Sequence, residues 1–228
     1  LIADEWGIPI IEDAAHAVGA KYKGVDIGSI SDFTMFSFQA IKHITTGDGG
    51  MLIIKNKDLV DKAERIRWFG IDRKSKQAGI WENDITEIGY KYQMTDIAAA
   101  MGIASLSEFD EQSKLRKELF ETYEAELADC DLLKVVGGGF SDREHAAWLF
   151  TVLVEDRYTL QQKLRDNGIE SNQVHFRNDR YSIFNEFTEG KSFPNMDKLE
   201  DNYLVLPLHT KMSKDDVIRV CKVIKSGW

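Results

Sequence analysis

The chain has few cysteines, no long apolar run and no block of like charge. Its two cysteines, Cys130 and Cys221, are far apart in the sequence, so they provide neither a disulfide framework nor a CxxC metal motif. We therefore expect two buried, reduced thiols and no metal site. No segment approaches the ~20 apolar residues that cross a bilayer, and the first residues lack the pattern of a signal peptide. These absences favour a cytoplasmic protein without a membrane partner.

The charged residues are predominantly acidic, with 38 carboxylates against 29 lysines and arginines in 228 residues, which gives a net charge of -9. These charges are spread along the chain, and a negatively charged surface repels polyanions. Nucleic acid and anionic membranes are therefore not expected as partners. Apolar residues make up 43% of the chain, which is enough to fill the core of one large domain or of two small ones.

The first half of the chain has the pattern of an α/β sheet protein. The apolar run Ile8–Ile11 is typical of a strand that is buried on both faces of a parallel sheet, and Glu12 and Asp13 follow it. Ligands gather at the carboxyl ends of such strands, so these carboxylates are well placed for chemistry. The same reasoning predicts strands at Phe33–Phe38 and Met51–Ile54, a helix over Asp58–Phe69 that ends at Gly70, and a helix capped by Thr95.

Beyond Asp131 the pattern changes to short strands and amphipathic helices. It predicts strands at Leu132–Val136, Trp148–Val154 and through Val174, a helix that ends at Gly168, and a last helix that opens with Ser213 and Asp216 as a capping box. We therefore predict a partial large domain over residues 1–107 and a smaller C-terminal α/β domain over residues 108–228.

The first residues predict the end of an element whose start is not in the sequence. Leu1, Ile2 and Trp6 have the spacing of the last turn of an amphipathic helix, and Gly7 lies at its C-cap. The chain has no initiator Met, so we expect a preceding segment that is missing from this sequence.

Three segments together supply the groups that a site for pyridoxal 5'-phosphate (PLP) needs. A carboxylate keeps the pyridine nitrogen protonated, a hydroxyl and backbone N–H groups hold the phosphate, and an amine binds the cofactor and shuttles a proton. The segments are Glu12-Asp13-Ala14-Ala15-His16, Ser37-Phe38-Gln39-Ala40-Ile41-Lys42 and Thr45-Thr46-Gly47-Asp48-Gly49-Gly50.

These segments resemble the DegT/StrS-like sugar aminotransferases, which are fold-type I PLP enzymes. Two later segments agree with the family in the same order. Gly89–Ala100 is similar to the family segment that reaches into the partner subunit, and Leu206-Pro207-Leu208-His209 is similar to its C-terminal signature. The resemblance covers nearly the whole chain, and it implies the α/β fold of PLP-dependent transferases, which is aspartate aminotransferase-like.

The resemblance also implies roles for individual residues. Lys42 forms the Schiff base with PLP, Asp13 pairs with the pyridine nitrogen, Ser37 binds the phosphate, and His16 lies near the ring hydroxyl. His16 stands where the family most often has Gln, and a histidine can still donate one hydrogen bond there.

Five further residues are candidates on later segments. Lys91 and Gln93 occupy alternating positions at one of which the family usually has an Asn that reaches the partner's phosphate, and the sequence leaves open which one does so. His175 lies where the family has a loop near the sugar, although a structural loop histidine fits the sequence equally. Arg177, like Arg180, could bind a nucleotide diphosphate bidentately or lie solvated on the surface.

The activity implied is a homodimeric PLP-dependent transaminase that moves an amino group from glutamate to a keto sugar nucleotide in amino-sugar and polysaccharide biosynthesis. Two alternatives remain. The family's PLP-dependent dehydratase branch has His in place of the lysine, whereas here Lys42 is present and His43 follows it. The chain could also be a sugar-binding pseudoenzyme or a catalytically incomplete fragment.

The 228-residue chain expressed alone should bind PLP weakly at best and show no transaminase turnover. The expectation follows from the missing segment, because neighbouring strands and the aromatic lid over the cofactor ring would be absent. Bound PLP and the half-reaction with glutamate are the measurements, and stoichiometric cofactor with normal turnover would contradict it.

Overall fold

The computed structural model describes residues 2–82 and 84–228, and their contacts divide the chain into two units. One unit runs as far as Asp110 and includes Asp142–Glu144, and the other comprises Glu111–Ser141 and His145–Trp228. The domain boundary between residues 107 and 108 stays a prediction. In the described part of the chain, no helix is both long and apolar enough to cross a membrane.

Strands and helices follow one another in groups, and short 3-10 turns lie at Lys57–Leu59, Asn178–Arg180 and Ser182–Phe184. The strands are β1 (Ile11–Asp13), β2 (Lys21–Tyr22), β3 (Val25–Asp26), β4 (Phe33–Ser37), β5 (Gly50–Ile54), β6 (Lys134–Val135), β7 (Arg143–Glu144), β8 (Phe150–Leu153) and β9 (Tyr203–Leu206). The helices are α1 (Ile2–Trp6), α2 (Val60–Arg67), α3 (Arg73–Gln77), α4 (Asp96–Ser107), α5 (Phe109–Leu127), α6 (Arg157–Asp166), α7 (Asn185–Thr188), α8 (Pro194–Glu200) and α9 (Lys214–Lys225). Along the chain, β1 to β5 come before α2 to α5, and β6 to β8 come before α6 to α8.

The first unit contains a three-stranded sheet of order β1-β4-β5. β1 runs parallel to β4, with Asp13 opposite Met35, whereas β5 runs antiparallel to β4, with Ser37 opposite Gly50. This part of the predicted parallel sheet is therefore mixed. The carboxyl ends of β1 and β4 lie at the same edge, which β5 enters at Gly50.

The strand predicted at Ile8–Ile11 is wrong in its bounds and in its burial. The observed strand begins at Ile11, and Ile8 and Ile11 are 60% and 68% exposed. The physical reason is that β1 is the outer strand of this sheet among the described residues, so one of its edges has no neighbouring strand. An apolar run indicates that a segment is suited to burial between neighbouring strands. It does not indicate whether such neighbours are present.

The other elements predicted for the first unit are present, whereas the sequence pattern does not predict β2, β3, β7 or α3. α2 is followed by Gly70 in the left-handed region, and Thr95 caps α4 by accepting a hydrogen bond from the Ala98 amide at 3.2 Å. α1 ends at Gly7 as predicted, while Leu1 lies outside the described residues.

The second unit is built around a sheet of order β6-β8-β9, against which α5, α6 and α9 pack. The Tyr123 hydroxyl donates to the Pro207 carbonyl at 2.8 Å, and burial raises the pKa of Tyr123. The remaining core is almost wholly apolar. Its fully buried members include Leu119, Phe150, Val152, Leu160, Leu164, Leu204, Val217, Cys221 and Ile224.

The last helix forms as predicted, with Ser213 and Asp216 completing a capping box. Cys221 on this helix is buried, and burial raises the pKa of its thiol to about 12. Cys130, by contrast, is only half-buried. The strand predicted through Val174 is wrong, because near it only Asn172 pairs with Val205, as an isolated bridge.

A strained turn precedes β8. Ala147 is fully buried with a positive φ of 54°, and its amide donates to His145 Nδ1 at 2.8 Å. The carbonyls of Ala147, Trp148 and Leu208 all accept hydrogen bonds from Arg116 Nη1. Burial lowers the pKa of Arg116. The turn is thus held by a cation bound to carbonyl oxygens, which offsets the cost of the unusual backbone conformation.

Leu164→Ala should lower the free energy of unfolding by ~2–5 kcal/mol, because the side chain is fully buried and the surrounding core closes a cavity only in part. Leu132→Ala is the matched control, since Leu132 is half-exposed, and it should cost less than about 1 kcal/mol. Urea denaturation followed by circular dichroism measures both, and equal losses would place the core of the second unit elsewhere.

Candidate active site

The carboxyl end of β1 presents the carboxylate of Asp13. Asp13 Oδ1 accepts a hydrogen bond from the Ala15 amide at 3.0 Å, which turns the chain directly after the strand. The neighbouring Glu12 faces Ser31 and Thr34, whose hydroxyls donate to Glu12 Oε2 at 3.0 and 3.4 Å. Successive side chains of a strand point to opposite faces, so Glu12 is used within the fold while Asp13 stays exposed at the edge.

The segment that carries Lys42 is a loop closed at its base. The Phe38 amide donates to the Gly49 carbonyl at 2.8 Å, and the Phe38 carbonyl accepts from the Thr46 amide at 2.9 Å. The buried hydroxyl of Thr46 also donates to the Asp48 carbonyl at 3.0 Å. These bonds continue the pairing of β4 with β5 and fix the two ends of the loop.

Small residues let the loop pack closely around Thr46. A Cβ on Gly49 would lie 2.3 Å from Thr46 Oγ1, and a Cβ on Gly102 of α4 would lie 2.9 Å from Thr46 Cγ2. The Ser105 hydroxyl, also on α4, accepts from the Thr45 amide at 3.2 Å. The sequence gives no signal for the role of Ser105, because Thr45 and Ser105 are far apart along the chain.

Lys42 lies within this loop as a half-buried side chain. Its amide donates to the Gln39 carbonyl at 2.9 Å, and the Gln39 side chain accepts from the Ile41 amide at 2.9 Å. Burial lowers the pKa of Lys42, while the negative charge of Asp13 partly opposes that shift. The amine is therefore easier to deprotonate than an ordinary lysine, which suits a group that bonds to a carbonyl carbon and moves protons.

The side chains at this edge fit PLP. Asp13 Oδ2 has no hydrogen-bond partner among the described residues, so it is available to a protonated ring nitrogen. The Ser37 oxygen accepts from the Gln39 amide at 3.3 Å, which leaves its proton to donate to a phosphate. At Gly50 an added Cβ would lie 2.7 Å from the Phe36 carbonyl, so only glycine fits where β5 begins.

The structure thus brings Asp13, Ser37 and Lys42 to one edge of the sheet. His16 is exposed in the turn that follows β1. Lys91 and Gln93 lie on a separate segment of the first unit, where Lys91 is exposed and forms a bridge with Trp68. Gln93 Oε1 is buried and has no hydrogen-bond partner among the described atoms.

The two substrate candidates lie in the second unit. His175 is exposed, its amide donates to the Tyr203 hydroxyl at 3.1 Å, and its ring centroid is 6.3 Å from that of Trp148. The Arg177 side chain is 3% exposed. Its guanidinium group binds the carboxylates of Asp179 at 2.6 Å, Asp197 at 2.7 Å and Glu200 at 2.9 Å. These carboxylates raise the pKa of Arg177.

That placement favours a structural role for Arg177. Its Nε and Nη2 atoms bind the two oxygens of Asp179, and Nη1 is shared by the other two carboxylates. A diphosphate would have to displace carboxylates that already use the guanidinium fork. Contact of Arg177 with substrate stays a prediction without geometric support.

Comparison with known proteins gives a consistent result. The model of the DegT/DnrJ/EryC1/StrS aminotransferase family matches residues 1–225. The UDP-4-amino-4,6-dideoxy-N-acetyl-beta-L-altrosamine transaminase of Campylobacter jejuni is 30% identical over 100% of the chain and 62% of its own length. The crystal structure of the sugar aminotransferase CalS13 from Micromonospora echinospora superposes with a TM-score of 0.89 at 32% identity, covering 97% of this chain and 59% of that one.

A further solved structure bears on the cofactor. Spr1654 from Streptococcus pneumoniae, determined in a PLP form, superposes with a TM-score of 0.82 at 29% identity over 99% of this chain and 59% of its own. The chain therefore spans about three fifths of the length of the relatives it matches. The fold is that of the fold-type I sugar aminotransferases, as the sequence predicts.

Asp13→Asn should lower the pKa of Lys42 further, because it removes the charge that opposes the effect of burial. At any pH below that pKa, more of the amine is then neutral, so Lys42 should react faster with acetic anhydride in protein free of cofactor. The matched control is Asp48→Asn in the same loop, which should leave the reaction unchanged. Mass spectrometry across a pH series gives the titration, and an unshifted or raised pKa in Asp13→Asn would refute the coupling.

Proposed function

Because the chain belongs to the DegT/DnrJ/EryC1/StrS aminotransferase family, we propose that the native protein is a PLP-dependent transaminase acting on sugar nucleotides. The amino donor in this proposal is glutamate, and the acceptor is a keto sugar carried on a nucleotide. The observation that carries the proposal is a lysine of lowered pKa in a closed loop, beside a strand-end carboxylate. Relatives named as nucleotide-sugar transaminases support the same substrate class.

PLP, when bound, supplies an electron sink for breaking a bond at the carbon that carries the amino group. The role of this chain is to bind, orient and move protons. We assign proton transfer to Lys42 Nζ, because burial lowers the pKa of its amine and so raises the fraction of neutral amine at a given pH. The closed base of the loop limits how far that atom can move, and such positioning contributes to the rate.

Asp13 and Ser37 are assigned to holding the cofactor at its two ends. The second carboxylate oxygen of Asp13 would accept a hydrogen bond from the protonated ring nitrogen, and the negative charge there would keep that nitrogen protonated. The Ser37 hydroxyl, at the end of β4, would donate a hydrogen bond to the phosphate. His16, in the turn that follows β1, is assigned to the ring hydroxyl and His175 to the sugar, in both cases on the family resemblance.

The proposal includes a homodimer in which Lys91 or Gln93 contacts the cofactor phosphate of the other subunit. The Gln93 amide oxygen is buried and is a hydrogen-bond acceptor, which does not suit a phosphate, whereas Lys91 is exposed and its ammonium group is a donor that suits an anion. These observations favour Lys91 as the residue that acts on the partner. A cytoplasmic location belongs to the same proposal.

The dehydratase alternative is less well supported by the site. In that branch a histidine stands in place of the lysine, whereas here the residue beside Lys42 is His43. His43 is buried, with its ring edge-on to Phe109 at a centroid distance of 6.5 Å. A histidine packed in this way is part of the fold of the loop, and this supports Lys42 as the residue that carries the chemistry. The alternative of an incomplete fragment applies to the 228-residue chain expressed alone. The activity of the native protein is therefore the measurement that tests the proposed function.

Borohydride reduction of the native protein loaded with PLP should fix the label on Lys42, as peptide mapping would show. Lys42→Ala should abolish the label and the transfer of an amino group from glutamate to a keto nucleotide sugar, because the amine is the nucleophile. Lys55→Ala, which alters an exposed lysine after β5, is the control and should change neither. Labelling of another lysine, or turnover by Lys42→Ala, would remove Lys42 from the mechanism. A panel of keto sugars on different nucleotides identifies the substrate.

A further inference from the structure

The segment that carries Lys91 is held against the end of α2 by backbone hydrogen bonds. The Phe69 amide donates to the Tyr90 carbonyl at 3.0 Å, the Tyr90 amide donates to the Ile66 carbonyl at 2.7 Å, and the Tyr92 amide donates to the Arg67 carbonyl at 2.9 Å. Apart from the bridge at Lys91, the described residues between Ala78 and Thr95 belong to no helix or strand. We call the contact of this segment with the end of α2 the crossing. Its backbone hydrogen bonds fix the position of Lys91.

The two backbones touch directly at the crossing. A Cβ on Gly89 would lie 1.8 Å from the Gly70 amide nitrogen, and a Cβ on Gly70 would lie 2.3 Å from the Glu87 carbonyl oxygen. Real side-chain atoms do not approach backbone so closely, so both positions require glycine. The contact leaves no room for the segment to slide along α2, and the register of Lys91 opposite Trp68 is fixed.

The ion pair between Arg65 and Glu87 joins α2 to the segment beside the crossing. Arg65 Nη2 and Nε donate to Glu87 Oε1 at 2.6 and 3.2 Å, and the two side chains are 31% and 19% exposed. This pairing raises the pKa of Arg65. Glu87 Oε2 is buried without a hydrogen-bond partner among the described atoms. A partly buried carboxylate with one oxygen unsatisfied depends strongly on its single cation.

We propose that Arg65 and Glu87 are positioning residues that hold the segment of Lys91 and Gln93 so that it can contact the cofactor site of the other subunit. This inference rests on the proposed function, because it requires a site shared between two copies. The ion pair links α2 to a segment of the same subunit whose side chains act on the cofactor site of the other subunit. Its loss should therefore impair the partner's cofactor site and leave the site of its own subunit unaffected.

Glu64, which lies next to Arg65 on α2, provides a matched control. Lys74 binds Glu64 at 3.0 Å, but both side chains are largely exposed, at 68% and 42%, and Lys74 also binds Asp61 at 2.7 Å. Exposed ion pairs contribute little to stability. Glu64→Gln removes the same kind of charge as Glu87→Gln, from a position that does not reach the crossing.

The first test needs no cofactor. Hydrogen exchange of the Tyr90 and Tyr92 amides should become about tenfold faster in Glu87→Gln, the change expected when one charge-assisted hydrogen bond is weakened. Glu64→Gln should exchange at the native rate. Arg65→Lys keeps the charge and should lie closer to the native rate than Arg65→Met. Native rates in Glu87→Gln and Arg65→Met would overturn the inference whatever the protein does with PLP.

The second test uses the native protein as a mixed dimer. The Glu87→Gln homodimer should bind PLP about tenfold more weakly than the unmutated dimer. In a heterodimer with Lys42→Ala, the site with an intact Lys42 receives Lys91 and Gln93 from a chain whose Glu87 is intact. That site should regain native PLP affinity, measured by borohydride-fixed label on Lys42. A purely structural defect in the Glu87→Gln subunit would stay uncorrected by its partner, and this result would overturn the inference.

The two tests separate the inference from the proposed function. If the unmutated protein fixes no PLP on Lys42, the proposed function is wrong and the assigned role falls with it. If it does, and the heterodimer stays as weak as the Glu87→Gln homodimer, the transaminase proposal stands while Arg65 and Glu87 are excluded as positioning residues for the shared site.

Discussion

The pairing of β4 with β5 is the constraint on which the candidate active site depends. Ser37 faces Gly50, and the bonds of Phe38 to Gly49 and Thr46 extend the pairing into the loop that follows. The loop therefore leaves the sheet and returns to it at fixed points. Lys42 lies between those points, close enough to the end of β1 for the charge of Asp13 to act on its amine. Removing the pairing would leave these side chains on independent segments.

The residues of this edge could be predicted because each has a local pattern. A short apolar run before Asp13 and a small-residue loop after Lys42 indicate where strands end and where backbone must turn tightly. The direction of β5 and the exposure of β1 could not be predicted, since both depend on which strands are neighbours. Ser105 shows the same limit. Its hydrogen bond with the Thr45 amide joins residues on different elements, and no spacing in the sequence predicts that bond.

Arg177 shows why charge patterns are ambiguous. Two arginines near a histidine suggest an anion site, but the sequence does not show that Asp197 and Glu200 lie on a helix facing the same loop. The loop contains its own counter-charges, and the buried guanidinium ties the loop to α8. A cation close to a predicted substrate residue can therefore shape a site without touching the substrate.

The turn at Ala147 limits how the sequence can vary. A left-handed conformation at a residue other than glycine costs ~1–2 kcal/mol, and a β-branched side chain would cost more. Because Ala147 is fully buried, larger residues also lack space. Neutral evolution at this position is thus confined mainly to alanine and glycine, although the residue takes no part in chemistry. Across relatives of this protein, a near-invariant small residue here would reflect the backbone and the packing around it, and it would be a misleading guide to the active site.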